Sequence, residues 1–417
     1  MVQLTEFEAG LAAGEGTPAQ KIAIGVVVKI AEVMGAERLL EASSAHIDSC
    51  LYHGLAGLEF AEMLASGGGE VAIPSTLNVS SLDLLHPELY RGDAETAAQA
   101  RRLMDAYEAM GCRPTWTCAP YQLAERPGLG DQIVWAESNA IVFANSALGA
   151  RTNRYGDFID ICSAITGRVP AAGLHLDEPR LATTEIRFDG VADDVLDSEL
   201  LYAVLGHISG EVLDNEVAVI SGLPPGVSED RIKALGAAAA SSGAVALIHL
   251  AGSTPEAPDT HTALGGRTPQ RVIDVSMPQL DEARSVLSTQ VSGPLAAVNM
   301  GTPHASLSEL EELAEAFRGE TVKCEVYVST GRDVLAAATA RGWEDDLTNS
   351  GVKIVTDTCT YITPIVEAKA GVLMTNSAKW AFYAPTNLGM DVAFGSTRDC
   401  IDSALAGEIV LSGDWGE

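Results

Sequence analysis

Three of the chain's seven cysteines, Cys118, Cys359 and Cys400, lie in polar loops flanked by proline or glycine. The others (Cys50, Cys112, Cys162 and Cys324) read as ordinary buried apolar groups, which is what a free cysteine usually is. Three thiolates can hold an iron–sulfur cluster and leave one iron without a protein ligand, free to act as a Lewis acid on a substrate hydroxyl. No CxxC pair is present, so spacing alone does not establish a cluster. Around Cys118 the stretch from Arg113 to Arg154 collects Glu137, Ser138, Asn139, Asn145, Ser146, Arg151, Asn153 and Arg154. Turns and helix caps use the same residue types, and any single one could serve there. So dense a set of short polar groups fits the wall of a pocket for a small polar ligand.

These groups need elements that bring them together. From about residue 200, short apolar strands alternate with helical patterns, which predicts parallel sheets. Strands are expected at 217–220, 244–248, 271–275, 295–298, 322–328, 352–355, 372–374 and 391–394. Four of them run into polar motifs: N-M-G-T-P-H-A-S with His304, T-D-T-C-T-Y with Cys359, T-N-S-A-K with Asn376, Ser377 and Lys379, and G-S-T-R-D-C with Cys400. Loops at the C-terminal edges of parallel strands converge on one crevice, so these motifs are expected to meet in space. Earlier, residues 70–74 read as a strand delivering Ser75, Thr76 and Asn78 to a similar edge. The polar run holding His46, Asp48, Cys50 and His53 matches no standard zinc spacing, so surface or supporting roles are expected for it.

Residues 5–40 look helical, with Thr17-Pro18 as a start and Ile22, Val26, Ile30 and Met34 on one apolar face. A charged helix follows near 94–110. At 417 residues, 47% of them apolar, the chain suits several α/β domains with real cores. The divisions expected are 1–195, 196–290 and 291–417. A net charge of −31 disfavours nucleic acid and anionic membranes as partners. Neither a signal peptide nor a long apolar span is visible, and an odd set of scattered cysteines suits a reducing cytoplasm.

The motifs P-T-W-T-C-A-P-Y, W-A-E-S-N-A-I-V-F-A-N-S-A-L-G-A-R-T-N, G-T-P-H-A-S, T-D-T-C, T-N-S-A-K and F-G-S-x-x-x-C resemble the catalytic subunit of the aconitase X family across nearly the full chain. The resemblance implies an aconitase-like α/β fold around a central cleft and a hydro-lyase with a cysteine-held cluster, of the 2Fe-2S or 4Fe-4S type. Its ligands would be Cys118, Cys359 and Cys400. Many members carry cysteine where this chain has Thr302. The family also has a smaller swivelling domain, fused or separate. The last strand–helix unit here ends near Ala406, so a separate small subunit is expected.

The activities the resemblance implies are dehydration of cis-3-hydroxy-L-proline, preferred here, or of 5-phosphomevalonate. A non-catalytic subunit that binds a small acid is the competing class. Dehydration next to a carboxylate needs a base for the α-proton, an acid for the departing hydroxyl and a cation for the carboxylate. Glu137 and His304 are the candidate acid/base groups, and Lys379 or Arg151 the candidate cations. Glu137 or Asp357 could face a substrate ammonium. Ser75, Thr76, Asn78, Ser138, Asn139, Asn145, Ser146, Asn376 and Ser377 are candidate substrate contacts.

Overall fold

The computed structural model describes residues 2–415. The N-terminal region is not one helix but two, Glu6–Ala13 and Pro18–Val33, each opened by a threonine capping box at Thr5 and Thr17. The buried face of the second is Ala19, Ala23, Ile24, Val27 and Ala31, and Met34 is exposed. Small alanines allow close approach to the helix Ile159–Thr166, so the larger residues expected on the apolar face flank the contact instead.

Three parallel sheets form the frame. The first orders Ser75–Leu77, Ser44–Ile47 and Ile133–Trp135. The second orders Ile248–Leu250, Ala218–Ile220, Thr184–Asp189 and Arg271–Ser276. The third orders Val352–Val355, Glu325–Thr330, Leu295–Ala305, Val372–Thr375 and Asp391–Phe394. An antiparallel pair, Leu39–Glu41 with Arg168–Pro170, closes the first unit.

Three expected strands are displaced, the one at 322–328 to Glu325–Thr330. Residues 70–74 are irregular and the strand begins at Ser75, because pairing to Ala45 starts there. Residues 244–247 lead up to the strand at 248–250. The strand Thr184–Asp189 is hydrogen-bonded to Arg271–Ser276 over its whole length, so it belongs to the middle sheet. The expected first division at 195 would cut that sheet, and the chain passes into the middle unit before 184.

Strand Leu295–Ala305 is irregular between Met300 and Ala305. At Gly301 the backbone has φ +79°, and a Cβ there would lie 2.1 Å from the Ser329 carbonyl oxygen. Only glycine lets the chain turn against its neighbour at that point. The turn carries Thr302, Pro303 and His304 out of the sheet and toward the loop holding Cys118.

Candidate active site

Two loops bring Cys118 and Cys359 together, and each bends the same way. Trp116 and Asp357, each two residues before its cysteine, hold left-handed backbone at φ +44° and +61°. Such conformations cost energy for residues other than glycine and persist where the surroundings enforce them. Trp116 is anchored by full burial. Asp357 is anchored by Arg332, whose Nε and Nη2 reach its carboxylate at 2.6 and 2.7 Å. That pairing removes Asp357 as a ligand for a substrate ammonium.

The Cys118 sulfur accepts the His304 backbone N–H at 3.2 Å. His304 Nε2 donates to the Thr358 carbonyl at 3.1 Å, and Nδ1 faces the Thr117 hydroxyl at 3.1 Å. A carbonyl can only accept, so the ring proton sits on Nε2 and Nδ1 keeps its lone pair. One donor atom each from Cys118, His304 and Cys359 lies within 4.8 Å of the others, all buried. Burial raises the Cys118 thiol, but the Cys359 hydrogen bond, His304 and Lys379 outweigh it and bring it down to about 6. Cys359, donating that hydrogen bond and buried, is pushed well up. The pair therefore holds one thiolate readily.

Cys400 is elsewhere. It lies in the helix Thr397–Ala406, fully buried in the third core among Met374, Ala393, Ile401 and Ala404. Burial and the neighbouring Asp399 raise its thiol well above the ordinary value. The expected trio of cysteines is thus replaced by two cysteines and His304. Cys400 sits one turn inside its helix, on the face that packs on the sheet, whereas Gly395, Ser396 and Thr397 before it line a separate cavity.

Glu137 caps the helix Ser138–Phe143 and is saturated. Its Oε2 accepts from Ala140 N–H at 2.7 Å and from Asn139 Nδ2, and its Oε1 accepts from Ser138 Oγ at 3.2 Å and Lys379 Nζ at 2.5 Å. Lys379 comes from the first turn of the helix Ala378–Leu388, so this ion pair joins the first and third sheet units. Burial alone would lower the Lys379 ammonium, but Glu137 overrides it and holds the lysine protonated well above its ordinary value.

A cavity of about 350 Å³ is lined by Cys118, Cys359, Glu137, Ser138, Lys379 and Asn78. Leu51, Val79, Ile362 and the stacked rings of Tyr361 and Tyr383, 5.6 Å apart, give it an apolar wall. Two groups named in the sequence without a catalytic role, Asp48 and His53, also line it. The signal for them was their place just beyond the strand Ser44–Ile47, at the same sheet edge that delivers Asn78.

The remaining candidates build the scaffold. Ser75 Oγ bonds the Ile73 carbonyl, and Thr76 bonds His46 Nδ1 at 2.8 Å, so neither reaches the cavity. Asn139 brackets the site, donating to the Cys118 carbonyl and accepting from Tyr121. Asn145 bonds Thr152, the Ala246 carbonyl and Arg180, and Ser146 Oγ accepts from Ile248 N–H. Both fasten the middle sheet to the first unit. Arg151 is paired with Asp177, Arg168 with Glu8, and Arg180 with Glu256, while Arg154 donates to three backbone carbonyls. Asn376 and Ser377 line a separate cavity of about 330 Å³, with Ser377 capping its helix through Trp380 N–H. Lys379 is the one Lys or Arg lining the site cavity among the described residues.

The domain models of aconitase X match the chain in succession: the first domain over residues 1–178, the second over 182–285 and the third over 295–406. The chain is 42% identical over 412 residues to a cis-3-hydroxy-L-proline dehydratase of Pseudomonas aeruginosa, covering 97% of this chain and 70% of that protein. A cis-3-hydroxy-L-proline dehydratase of Hypocrea jecorina is 36% identical, covering 97% of this chain and 69% of the relative. The large subunit of phosphomevalonate dehydratase from Methanothermobacter thermautotrophicus is 36% identical, covering 96% of this chain and 98% of that one. The crystal structure of Thermococcus kodakaraensis aconitase X in its holo-form superposes with a TM-score of 0.86 at 33% identity, over 97% of this chain and 100% of that one. Three successive domain models, relatives along nearly the whole chain and a shared α/β fold establish that the chain belongs to the aconitase X family.

Proposed function

We propose that this chain is the catalytic subunit of a hydro-lyase that dehydrates cis-3-hydroxy-L-proline to Δ1-pyrroline-2-carboxylate. The observation that carries this reading is one cavity lined by Cys118, Cys359 and the buried Lys379–Glu137 pair, with His304 buried against the two cysteines. The donor set fits iron: thiolates and an imidazole are its usual protein ligands, and one thiol is already easily ionised. The three donors converge within 4.8 Å, which suits protein ligands gathered on one metal atom. Cys118, Cys359 and His304 would hold the iron. Bound there, iron supplies Lewis acidity toward a departing hydroxyl.

The protein's own groups do the rest. Lys379, held protonated by Glu137, binds the substrate carboxylate and stabilises the charge that gathers on it when the α-proton leaves. Glu137 positions Lys379, since every strong donor around its oxygens is already engaged. His304, with both ring nitrogens bonded, positions the loop or ligates metal rather than moving a proton. The group that removes the α-proton then comes from a separate small subunit, on the order of 100–150 residues, that closes over the cavity. The partner is supported by a relative named a large subunit, of which this chain covers 98%.

That same coverage favours a second reading, 5-phosphomevalonate as substrate. Against it stand the higher identity to the hydroxyproline enzymes and a cavity with one cation, poor provision for a phosphate carrying nearly two negative charges. No described helix is long and apolar enough to cross a membrane. All seven cysteines are free, which supports a reducing cytoplasmic setting.

The test is to purify the chain anaerobically with its small subunit, measure iron and sulfide, and assay both compounds. Turnover of the hydroxyproline with bound iron is expected. Turnover of phosphomevalonate alone would replace the substrate, and absence of iron with binding of small acids would point to a non-catalytic subunit.

A further inference from the structure

The cavity contains a carboxylate for which the protein supplies no cation. Asp48 follows the strand Ser44–Ile47 and turns its half-buried side chain into the space shared with Lys379 and Glu137. Asn78 donates to its Oδ1, and no donor among the described residues reaches Oδ2. Its backbone N–H is fixed by Asp160 Oδ2 at 2.8 Å, so the residue is held in place from both sides. The charges bearing on it are the carboxylates of Glu137, Asp157 and Asp160, all of its own sign. Lys379 is committed to Glu137, and His53 at the cavity mouth is exposed. A carboxylate set among charges of its own sign with no cation is costly, and proteins keep such groups chiefly where a ligand completes them.

We propose that Asp48 receives the ring ammonium of the substrate and so selects an amino acid over an uncharged or phosphorylated hydroxy acid. The inference rests on the hydroxyproline reading and adds its specificity determinant. Lys379 takes the carboxylate, Asp48 the ammonium, and the pyrrolidine ring lies against Leu51, Val79 and the Tyr361–Tyr383 stack. Opposite charges at the two ends of the amino acid then meet opposite charges of the protein. A phosphate would meet Asp48 and Glu137 with one lysine to offset them.

The experiment compares L-proline with cyclopentanecarboxylate, the same ring and carboxylate without the nitrogen. Binding is measured by titration calorimetry on the full chain assembled with its small subunit. One charged hydrogen bond predicts that wild-type protein prefers proline about ten- to a hundredfold. Asp48→Asn should shrink the preference to within about threefold while leaving the affinity for cyclopentanecarboxylate unchanged. Asp48→Ser should do the same, which guards against a local misfit of the amide. A variant that keeps the proline preference overturns the role of Asp48 and leaves the hydroxyproline reading standing. Equal loss of both ligands also overturns it, since Asp48 would then only support the fold. Wild-type protein that binds neither compound refutes the hydroxyproline reading, and this assignment with it.

Discussion

Replacing Glu137 by glutamine isolates the ion pair at the centre of the site. Lys379 is about 5% exposed, and its ammonium has two protein partners, Glu137 Oε1 at 2.5 Å and Ser138 Oγ at 3.4 Å. Removing one member of a buried pair typically costs about 3–5 kcal/mol, because the other charge stays buried and unpaired. Glutamine still offers an oxygen to the Ala140 N–H, so little of the loss comes from the helix cap. Lys379→Met is milder. It leaves Glu137 with Ala140 N–H, Asn139 and Ser138 as donors and removes one charged hydrogen bond, a loss of about 1.5–3 kcal/mol. The double variant buries no charge, so it should be less destabilised than the two losses combined by about 2–3 kcal/mol. Urea unfolding of the iron-free chain, followed by fluorescence, measures all four corners. Trp380, next to Lys379 and fully buried, reports on this junction. Additivity within about 0.5 kcal/mol would falsify the assignment of Glu137 as the group that holds Lys379.

Three further outcomes are expected. Cys118→Ser and Cys359→Ser should each abolish bound iron, whereas Cys400→Ala should retain it and lose only stability; iron content by metal analysis decides. Asp48 is raised to about 8, by burial first and then by Glu137, Asp157 and Asp160. An acid raised on folding contributes stability below its ordinary value near 4 that is lost as pH climbs through 8, so Asp48→Asn should gain on wild type between pH 4 and 8, as urea midpoints at both ends would show. Arg180, 2% exposed, donates to Glu256, Asn145 and the Leu174 carbonyl, so Arg180→Met should cost about 3–5 kcal/mol while leaving KM of the surviving enzyme unchanged. A raised KM would instead tie Arg180 to substrate binding.

Much of the framework was legible because it depends on local pattern. Alternating short apolar runs and helical periods fixed the parallel α/β class, and several strands fell where the pattern put them, Val352–Val355 and Asp391–Phe394 among them. Cap chemistry marked a helix start at Thr17. The motifs around Cys118, Glu137, Cys359 and Lys379 named the groups that meet, since loops at parallel strand ends have one place to go.

Direction was not legible. Cys400 and Cys359 both sit in motifs after strands, yet one residue lies inside a helix facing the core and the other in a loop facing the cavity. Ser75, Thr76 and Asn78 are close in sequence, yet neighbouring groups hold Ser75 and Thr76 and only Asn78, just past the strand end, lines the site. Arg151 looked as able as Lys379 to hold a substrate carboxylate, and Asp177, 26 residues away, claimed it for the scaffold. Asp48 stood in a polar run just past a strand, and nothing in that run showed that its carboxylate would face the cavity without a cation. A side chain's chemistry is written in the sequence, but whether its charge is already satisfied depends on residues that only folding brings within hydrogen-bond reach.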